Sequence, residues 1–580
     1  MTASLAIIVS TERSSPEETG GARSATPAPG VENPEIGHAD EAGPLIKEIM
    51  RRYRPKAGSI DALGVCLDLV EGRGEAEVIA SLGRLAPAWR DHAIACVYAI
   101  LIPGDRRKRL GAYFTPPHLV DHLISRLTDL GLDLTQDRLR DPAAGGAAFL
   151  VPLARRKVKS WRDVDVADDE ILMRLPAQLF GREIDPGLAT LANALVRRML
   201  TDEFHIQADG VAALEIVDTG DSLDQAFADD CAVDHEIGNP PYLRLPRALL
   251  TERQAEFEDI ASGRLNLYAM FLRRAVDHVP PGGLVGYVIP ASFLGGPEFT
   301  TFRSRIDELA EVLVVDIIEK RSDVFLDATQ DACFVVLRRR GEAPNDAERA
   351  TVSSGVLRAD GSFRLAGSAV VEPGGEPWRL PGEDQEGTAT LLTWGYRGAI
   401  GYLVANRQSE RLHAEPGPGR YPLVWAKAIA PDGVFNFDRG RKHRGKGWVD
   451  APATAPYIVR TECVAVQRTS SRGQKRRIAA ALIPAGFLQA HGGVVAENHV
   501  ILLVPREGEA WDGQALAKAL NDPAASEQLD RMCGSASISV RLLEKLRLPH
   551  PSLRVTSEAS PAPSASSGDL SAAVEHPDGP

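Results

Sequence analysis

Between Gly111 and Arg340, short apolar runs alternate with stretches patterned for amphipathic helices, and few folds accept that alternation. The runs are Leu179-Phe180, His235 to Ile237, Leu284 to Pro290, Val312 to Ile318 and Cys333 to Leu337. They predict an α/β fold: a doubly wound, mostly parallel sheet with helices on both faces. In such sheets ligands gather beyond the carboxyl ends of the strands, so chemistry is to be sought in the residues that follow each run.

The rest of the chain divides around this region. Residues 1–40 are rich in Ser, Pro, Gly, Ala and Glu and, like 553–580, read as disordered tails. In 41–104 apolar residues recur at helical spacing, as at Ile60, Leu63 and Leu67 and again at Val78, Ile79, Leu82 and Leu85, which predicts a helical region without strands. The sheet region takes up 105–345. Residues 346–384 are polar and Gly-rich and read as a linker or irregular hairpins. A second globular region, 385–552, is expected to be mixed α+β, with strands at Tyr457 to Val459, Val464 to Gln467 and His499 to Val504.

Composition excludes several classes. A chain of 580 residues exceeds what one core serves, and its 44% hydrophobic and 25% charged content is that of ordinary soluble proteins. No stretch approaches the ~18 apolar residues of a membrane span, and the N-terminus lacks the basic start and cleavage site of a secretion signal, so a cytoplasmic protein with no membrane partner is expected. Six scattered cysteines support neither a disulfide framework nor a zinc site, and no metal is expected.

The strongest local signal is Asn239-Pro240-Pro241-Tyr242, directly after the run that ends Ile237-Gly238. Two prolines can neither continue a strand nor enter a helix interior, so the chain must leave the sheet there as a rigid corner. The Asn239 side-chain oxygen and the Pro240 backbone oxygen would present two acceptors, suited to an exocyclic amine whose lone pair is delocalised into a ring. Tyr242 could stack on a base swung out of a duplex. Alone, the motif could also be an ordinary strand-ending turn.

Three companions stand in order before it. Asp141-Pro142-Ala143-Ala144-Gly145-Gly146-Ala147-Ala148-Phe149 is a small-residue loop between a short strand, Leu139-Arg140, and a helix, which permits close backbone approach to a nucleotide-like ligand. Glu183-Ile184-Asp185 ends the next strand, where an acid suits a ribose, although an acid before a helix is also a common cap. Gly220-Asp221-Ser222 could offer a carboxylate to an adenine amine or be a simple Asx turn.

With these residues in this order the chain resembles the amino-group DNA methyltransferases of the gamma arrangement, adenine-N6 type, which serve as modification methylases of restriction–modification systems. Gly111-Ala112-Tyr113-Phe114-Thr115-Pro116 is similar to the family's leading motif, Asp141 to Phe149 to its cofactor loop, and Gly181 to Asp185 and Gly220 to Leu223 to its second and third cofactor motifs. Asn266 to Phe271 and Gly282 to Pro290 are similar to segments flanking the target-base pocket. The resemblance implies a seven-stranded methyltransferase sheet, S-adenosylmethionine held by Tyr113, Thr115, Asp141, Ala143, Gly145, Glu183, Asp185, Asp221 and Asn239, and catalysis at Asn239, Pro240, Pro241 and Tyr242. It further implies methylation of N6 of a flipped adenine in double-stranded DNA, with 385–552 as the target recognition domain and a cognate restriction endonuclease acting separately on the same site. The alternatives are a modification subunit that needs a partner specificity protein, or a methyltransferase for protein glutamine. Ala144 and Ala147 depart from the Cys and second Gly usual in the cofactor loop.

The net charge of -13 hides a basic stretch. From Asn436 to Ala480 eleven Lys and Arg stand against three acids, interleaved with Phe437, Trp448 and Tyr457. Phosphate contacts are therefore expected there, with Arg468, Arg472, Lys475, Arg476 and Arg477 as leading candidates.

Overall fold

The computed structural model describes residues 39–550, except 111–113, 225–232, 245–254, 262–264, 320–331, 342–350, 359, 372–373, 383–387, 431, 471–475, 509–511 and 533–536. Nine strands make one sheet: β1 (Leu139–Asp141), β2 (Leu179–Glu183), β3 (Val217–Thr219), β4 (His235–Gly238), β5 (Leu284–Pro290), β6 (Ala310–Ile318), β7 (Ala332–Arg339), β8 (Thr351–Leu357) and β9 (Phe363–Val370). Their order is β3-β2-β1-β4-β5-β7-β6-β8-β9. The first five strands pair in parallel, and β7 inserts antiparallel between β5 and β6. Strand β5 is buried at all seven residues, as a continuous apolar run between two helical layers must be.

Strand order reverses between β1 and β4: one side leads to β2 and β3, the other to β5. Loops leaving two adjacent parallel strands at such a point turn away from each other and open a crevice. One apolar core lies on each face of the sheet, the first including Leu139, Leu179, Ile237 and Val288, the second Val285, Tyr287 and Ile289.

The expected seven strands are present, extended by a hairpin whose place in the same sheet the sequence did not indicate. Residues 351–370, read as part of a linker or irregular hairpins, form the regular hairpin β8–β9, with β8 parallel to β6. β9 is an edge strand lying largely in water, so its residues carry no alternation that would betray a buried face.

The helices Ala39–Tyr53, Ala62–Val70, Ala76–Gly83 and Pro87–Leu101 share the first core with the sheet, through residues such as Ile49, Cys66, Val97 and Leu101. In the second region, Tyr396–Ile400, Val500–Pro505, Cys463–Gln467 and Ala480–Ile483 form an antiparallel sheet in that order. The strand expected at Tyr457 to Val459 is reduced to a single bridge between Val459 and Val494, because Pro452 and Pro456 break the approach. Among the described residues no helix is long and apolar enough to cross a membrane.

The second region docks where β5 ends. Segment 291–303 leaves the carboxyl end of β5, and its buried Arg303 donates to the carbonyls of Phe293, Gly296, Gly375 and Glu376. The Trp378 amide donates to Leu294 (2.8 Å), and Lys545 pairs with Glu376 (3.1 Å). With Met532 O packed directly on Gly295, the second region stands at the carboxyl edge of the large sheet.

Candidate active site

The loop after β1 brings a buried acid and two left-handed residues to the crevice. Asp141, 1% exposed, accepts the Ala143 amide on Oδ1 (3.0 Å), while its Oδ2 is buried without a partner. Burial, reinforced by Glu183 and Glu236 nearby, pushes its carboxyl up to about 8. A buried carboxyl with an unpaired oxygen would regain its charge if a cationic donor reached it.

Gly145 has φ 52° and Ala147 φ 58°, a conformation that strains a side-chain-bearing residue by about 1 kcal/mol. Ala147 occupies the place where the resembled motif carries its second Gly, and its φ explains that preference. A Cβ at Gly146 would fall 2.6 Å from the Cβ of Ala95, so the helix Pro87–Leu101 presses directly on the loop. That support had no signature in the sequence.

Glu183, at the end of β2, accepts the amides of Gly145 (2.8 Å) and Asp185 (2.9 Å), and burial raises its carboxyl. Thus Ala143 and Gly145 direct their amides to Asp141 and Glu183 and fix the loop on both acids. Asp185 departs from expectation. It caps the helix Pro186–Phe204 by accepting the Gly187 and Leu188 amides, and it also receives Tyr98 Oη (2.8 Å) and Arg106 (2.6 Å). Its 2% exposure and four donors, three of them on Oδ1, make it a helix cap and an anchor for the N-terminal helices.

Beyond β3, Asp221 accepts the Leu223 amide (3.0 Å) in an Asx turn, and Ser222 Oγ donates to Pro142 O (2.5 Å), fastening this turn to the first loop.

Asn239 to Tyr242 leave β4 beside it. A Cβ at Gly238 would lie 2.7 Å from Asp141 Oδ1, so the two loops touch at the strand ends. Asn239 Nδ2 donates to Thr115 Oγ1 (2.9 Å), a pairing across 124 positions that no sequence spacing indicates. Tyr242 Oη lies 2.6 Å from Asn239 Oδ1 and 3.0 Å from Val288 O, a single hydroxyl between two acceptors. Its ring stands edge-on to Tyr268 at 6.3 Å, half-buried rather than presented as an open face. Pro240 is buried and Pro241 half-buried, while Tyr113 lies outside the described residues.

Beneath the crevice a buried polar network ties β1, β4 and β5. Arg140 donates from Nε to Glu236 (2.8 Å) and from its guanidinium to His278 Nδ1 (2.7 Å), while Tyr287 Oη donates to Glu236. Desolvation and the neighbouring cation Arg140 push His278 down to about 3, so its ring is neutral and accepts. The network holds fixed the strands from which both loops spring.

The candidate DNA cations scatter. Arg477 is 3% exposed, donates to Ser470 O (2.7 Å) and pairs with Asp530 (2.7 Å), so it belongs to the interior of the second region and not to a phosphate surface. Arg468 is half-buried and donates to Asn498 O (3.0 Å), and Arg476 is exposed. Arg472 and Lys475 lie outside the described residues.

Residues 199–325 match the family described as Eco57I restriction-modification methylase. The chain is 27% identical over 411 residues to the Type II methyltransferase M.PaeR7I of Pseudomonas aeruginosa, covering 63% of this chain and 67% of that one. It is 28% identical over 335 residues to the Type II methyltransferase M.XhoI of Xanthomonas vasicola, covering 51% of this chain and 59% of that one. Among solved structures it is similar in fold to the DrdV-DNA complex, with a TM-score of 0.50 and 11% identity over 87% of this chain and 71% of that one.

Proposed function

We propose that this chain, a DNA methyltransferase of the restriction–modification kind by its family match and its relatives, transfers the methyl group of S-adenosylmethionine to N6 of an adenine turned out of double-stranded DNA. The observation that carries this reading is the contact between two loops at one crevice, the loop of Asp141 to Phe149 after β1 and the Asn239 to Tyr242 corner after β4.

The residues fit the cofactor. The unpaired Asp141 Oδ2 suits its ammonium, and Gly145 lets the backbone approach closely. When bound, S-adenosylmethionine supplies an activated methyl on a sulfonium, so no metal is needed for the transfer. Asp141 binds and orients, and Glu183 braces the loop through the Gly145 amide.

Asn239 and Pro240 act on the acceptor. Their carbonyl oxygens take hydrogen bonds from the adenine amine, localise its lone pair and stabilise the positive charge that develops on nitrogen. Thr115, bonded to Nδ2, keeps Oδ1 turned toward the base. Tyr242 Oη, bonded to that oxygen, gives way to the base amine and leaves its ring to pack against the purine. A restriction endonuclease acting separately on the same site is the partner this activity calls for.

The test is methyl transfer from labelled S-adenosylmethionine to duplex DNA, with the modified nucleoside identified by mass spectrometry. N6-methyladenine is expected, whereas N4-methylcytosine or methylated protein would replace the reading. Asn239→Ala is expected to lower kcat about 100- to 1,000-fold with cofactor affinity preserved. Near-normal turnover by that variant would remove Asn239 from the mechanism.

A further inference from the structure

The basic stretch of the second region contains two kinds of cation. Arg477 and Arg468 turn inward to carbonyls and an acid of the fold, whereas the helix Phe437–Arg444 turns its cations to water. Arg439, Lys442 and Arg444 are exposed, as are Lys446 just past the helix and Lys427 on the segment it lies against. The helix's one acid, Asp438, pairs with Arg441 (3.2 Å). Among the described residues no ion pair holds Lys427, Arg439, Lys442, Arg444 or Lys446.

Like charges at this density repel one another, so the fold must hold them there. Asn436 Oδ1 caps the helix by accepting the Arg439 amide (2.9 Å), and Gly445, at φ 63°, closes it. Gly440 lies so close to the chain beneath that a Cβ would come within 2.9 Å of Ala428 Cβ. Phe437 packs edge-on to Trp448 at 5.7 Å and against Phe487 at 5.4 Å. Trp425 Nε1 donates to Lys446 O (2.6 Å), and the Arg444 guanidinium lies over the Trp425 ring at 5.6 Å. These cations therefore sit on a rigid, aromatic-backed platform.

We infer that the helix Phe437–Arg444, with Lys427 and Lys446, is the phosphate-gripping surface on which double-stranded DNA is seated; this rests on the function proposed above. The helix is about 12 Å long, and duplex phosphates advance about 3.4 Å per nucleotide along each strand, so its cations reach several phosphates. Uncompensated charge on a fixed frame matches a regular polyanion, and the second region stands at the sheet edge where the base is to be received.

The test titrates the full chain onto labelled mixed-sequence duplex DNA over a series of salt concentrations. The variant Arg439→Gln/Lys442→Gln/Arg444→Gln/Lys446→Gln is expected to bind at least about tenfold more weakly at low salt, its slope of log affinity against log salt flattened by about 3 to 4. Its Tm and S-adenosylmethionine affinity should not move. The pair Lys442→Gln/Lys446→Gln should flatten the slope by about half as much, and Arg397→Gln/Arg407→Gln, exposed cations elsewhere in the same region, should leave it unchanged. An unaltered slope in the fourfold variant, an equal loss in the Arg397/Arg407 control, or a loss seen with single-stranded RNA but not duplex DNA would overturn the assignment. Helix-dependent duplex binding without methyl transfer would uphold this surface and refute the proposed reaction; methyl transfer with a helix-independent slope would do the reverse.

Discussion

After β1 a buried carboxyl oxygen of Asp141 is left without a donor, whereas after β2 four donors converge on the carboxylate of Asp185. Asp141 ends β1 and Asp185 follows β2 by two residues at the same edge of the sheet, and both are almost wholly buried. Burial alone therefore does not separate the acid proposed to hold the cofactor from a structural one; the tally of donors does. A fully matched carboxylate is part of the frame, and a mismatched one raises its pKa and waits for a cation.

Removing the matched acid should cost most. Asp185→Ala takes away a helix cap and leaves the Tyr98 hydroxyl and Arg106 without their acceptor, so a loss of about 2 to 4 kcal/mol is expected in urea unfolding. Cofactor affinity measured under conditions where the variant is folded should stay within about twofold. A large affinity loss in a stable variant would erase the contrast.

Asp141→Asn should behave oppositely: unchanged or improved stability, and S-adenosylmethionine bound about tenfold more weakly by calorimetry, about 1.4 kcal/mol. The pH dependence has a definite sign. The folded carboxyl holds its proton up to about 8, while the unfolded one loses it near about 4. Between those values the folded chain carries the extra proton, so this group's contribution is intact at low pH and is lost as pH rises, by at most about 1.4 kcal/mol per unit. Unfolding midpoints measured from about pH 5 to 8 should fall less in Asp141→Asn than in the parent.

The smallest effect belongs to the strain stored in the first loop. Ala147→Gly should raise stability by up to about 1 kcal/mol, read as a small increase in Tm. A drop would mean that the Ala147 methyl contributes more through its burial than it costs in backbone conformation.

The chain's pattern revealed the sheet wherever strands are buried on both faces. β4 and β5 are such strands, and the prolines after β4 mark its exit without tertiary information. β3 was not legible, since Asp218 and Thr219 of its three residues are exposed, nor was the water-facing hairpin edge β9. Within the site, Glu183 and Asp185 are two positions apart and look alike in sequence; what separates them is Tyr98 and Arg106, far earlier in the chain. The partnership of Thr115 with Asn239 was hidden for the same reason, and Arg477 read as a surface cation because its counter-ion, Asp530, lies more than fifty positions away. Short-range grammar specifies strands, corners and caps, whereas the fate of a charge depends on which distant neighbour packs against it.

The contact between Ala95 and Gly146 bears on which parts of this molecule can be exchanged. The helices before residue 104 supply the wall behind the ligand loop, and through Tyr98 they also hold the acid that starts the helix Pro186–Phe204. A version trimmed to the sheet alone would lose this brace of the loop after β1. The opening helices must therefore travel with the sheet as one inseparable body.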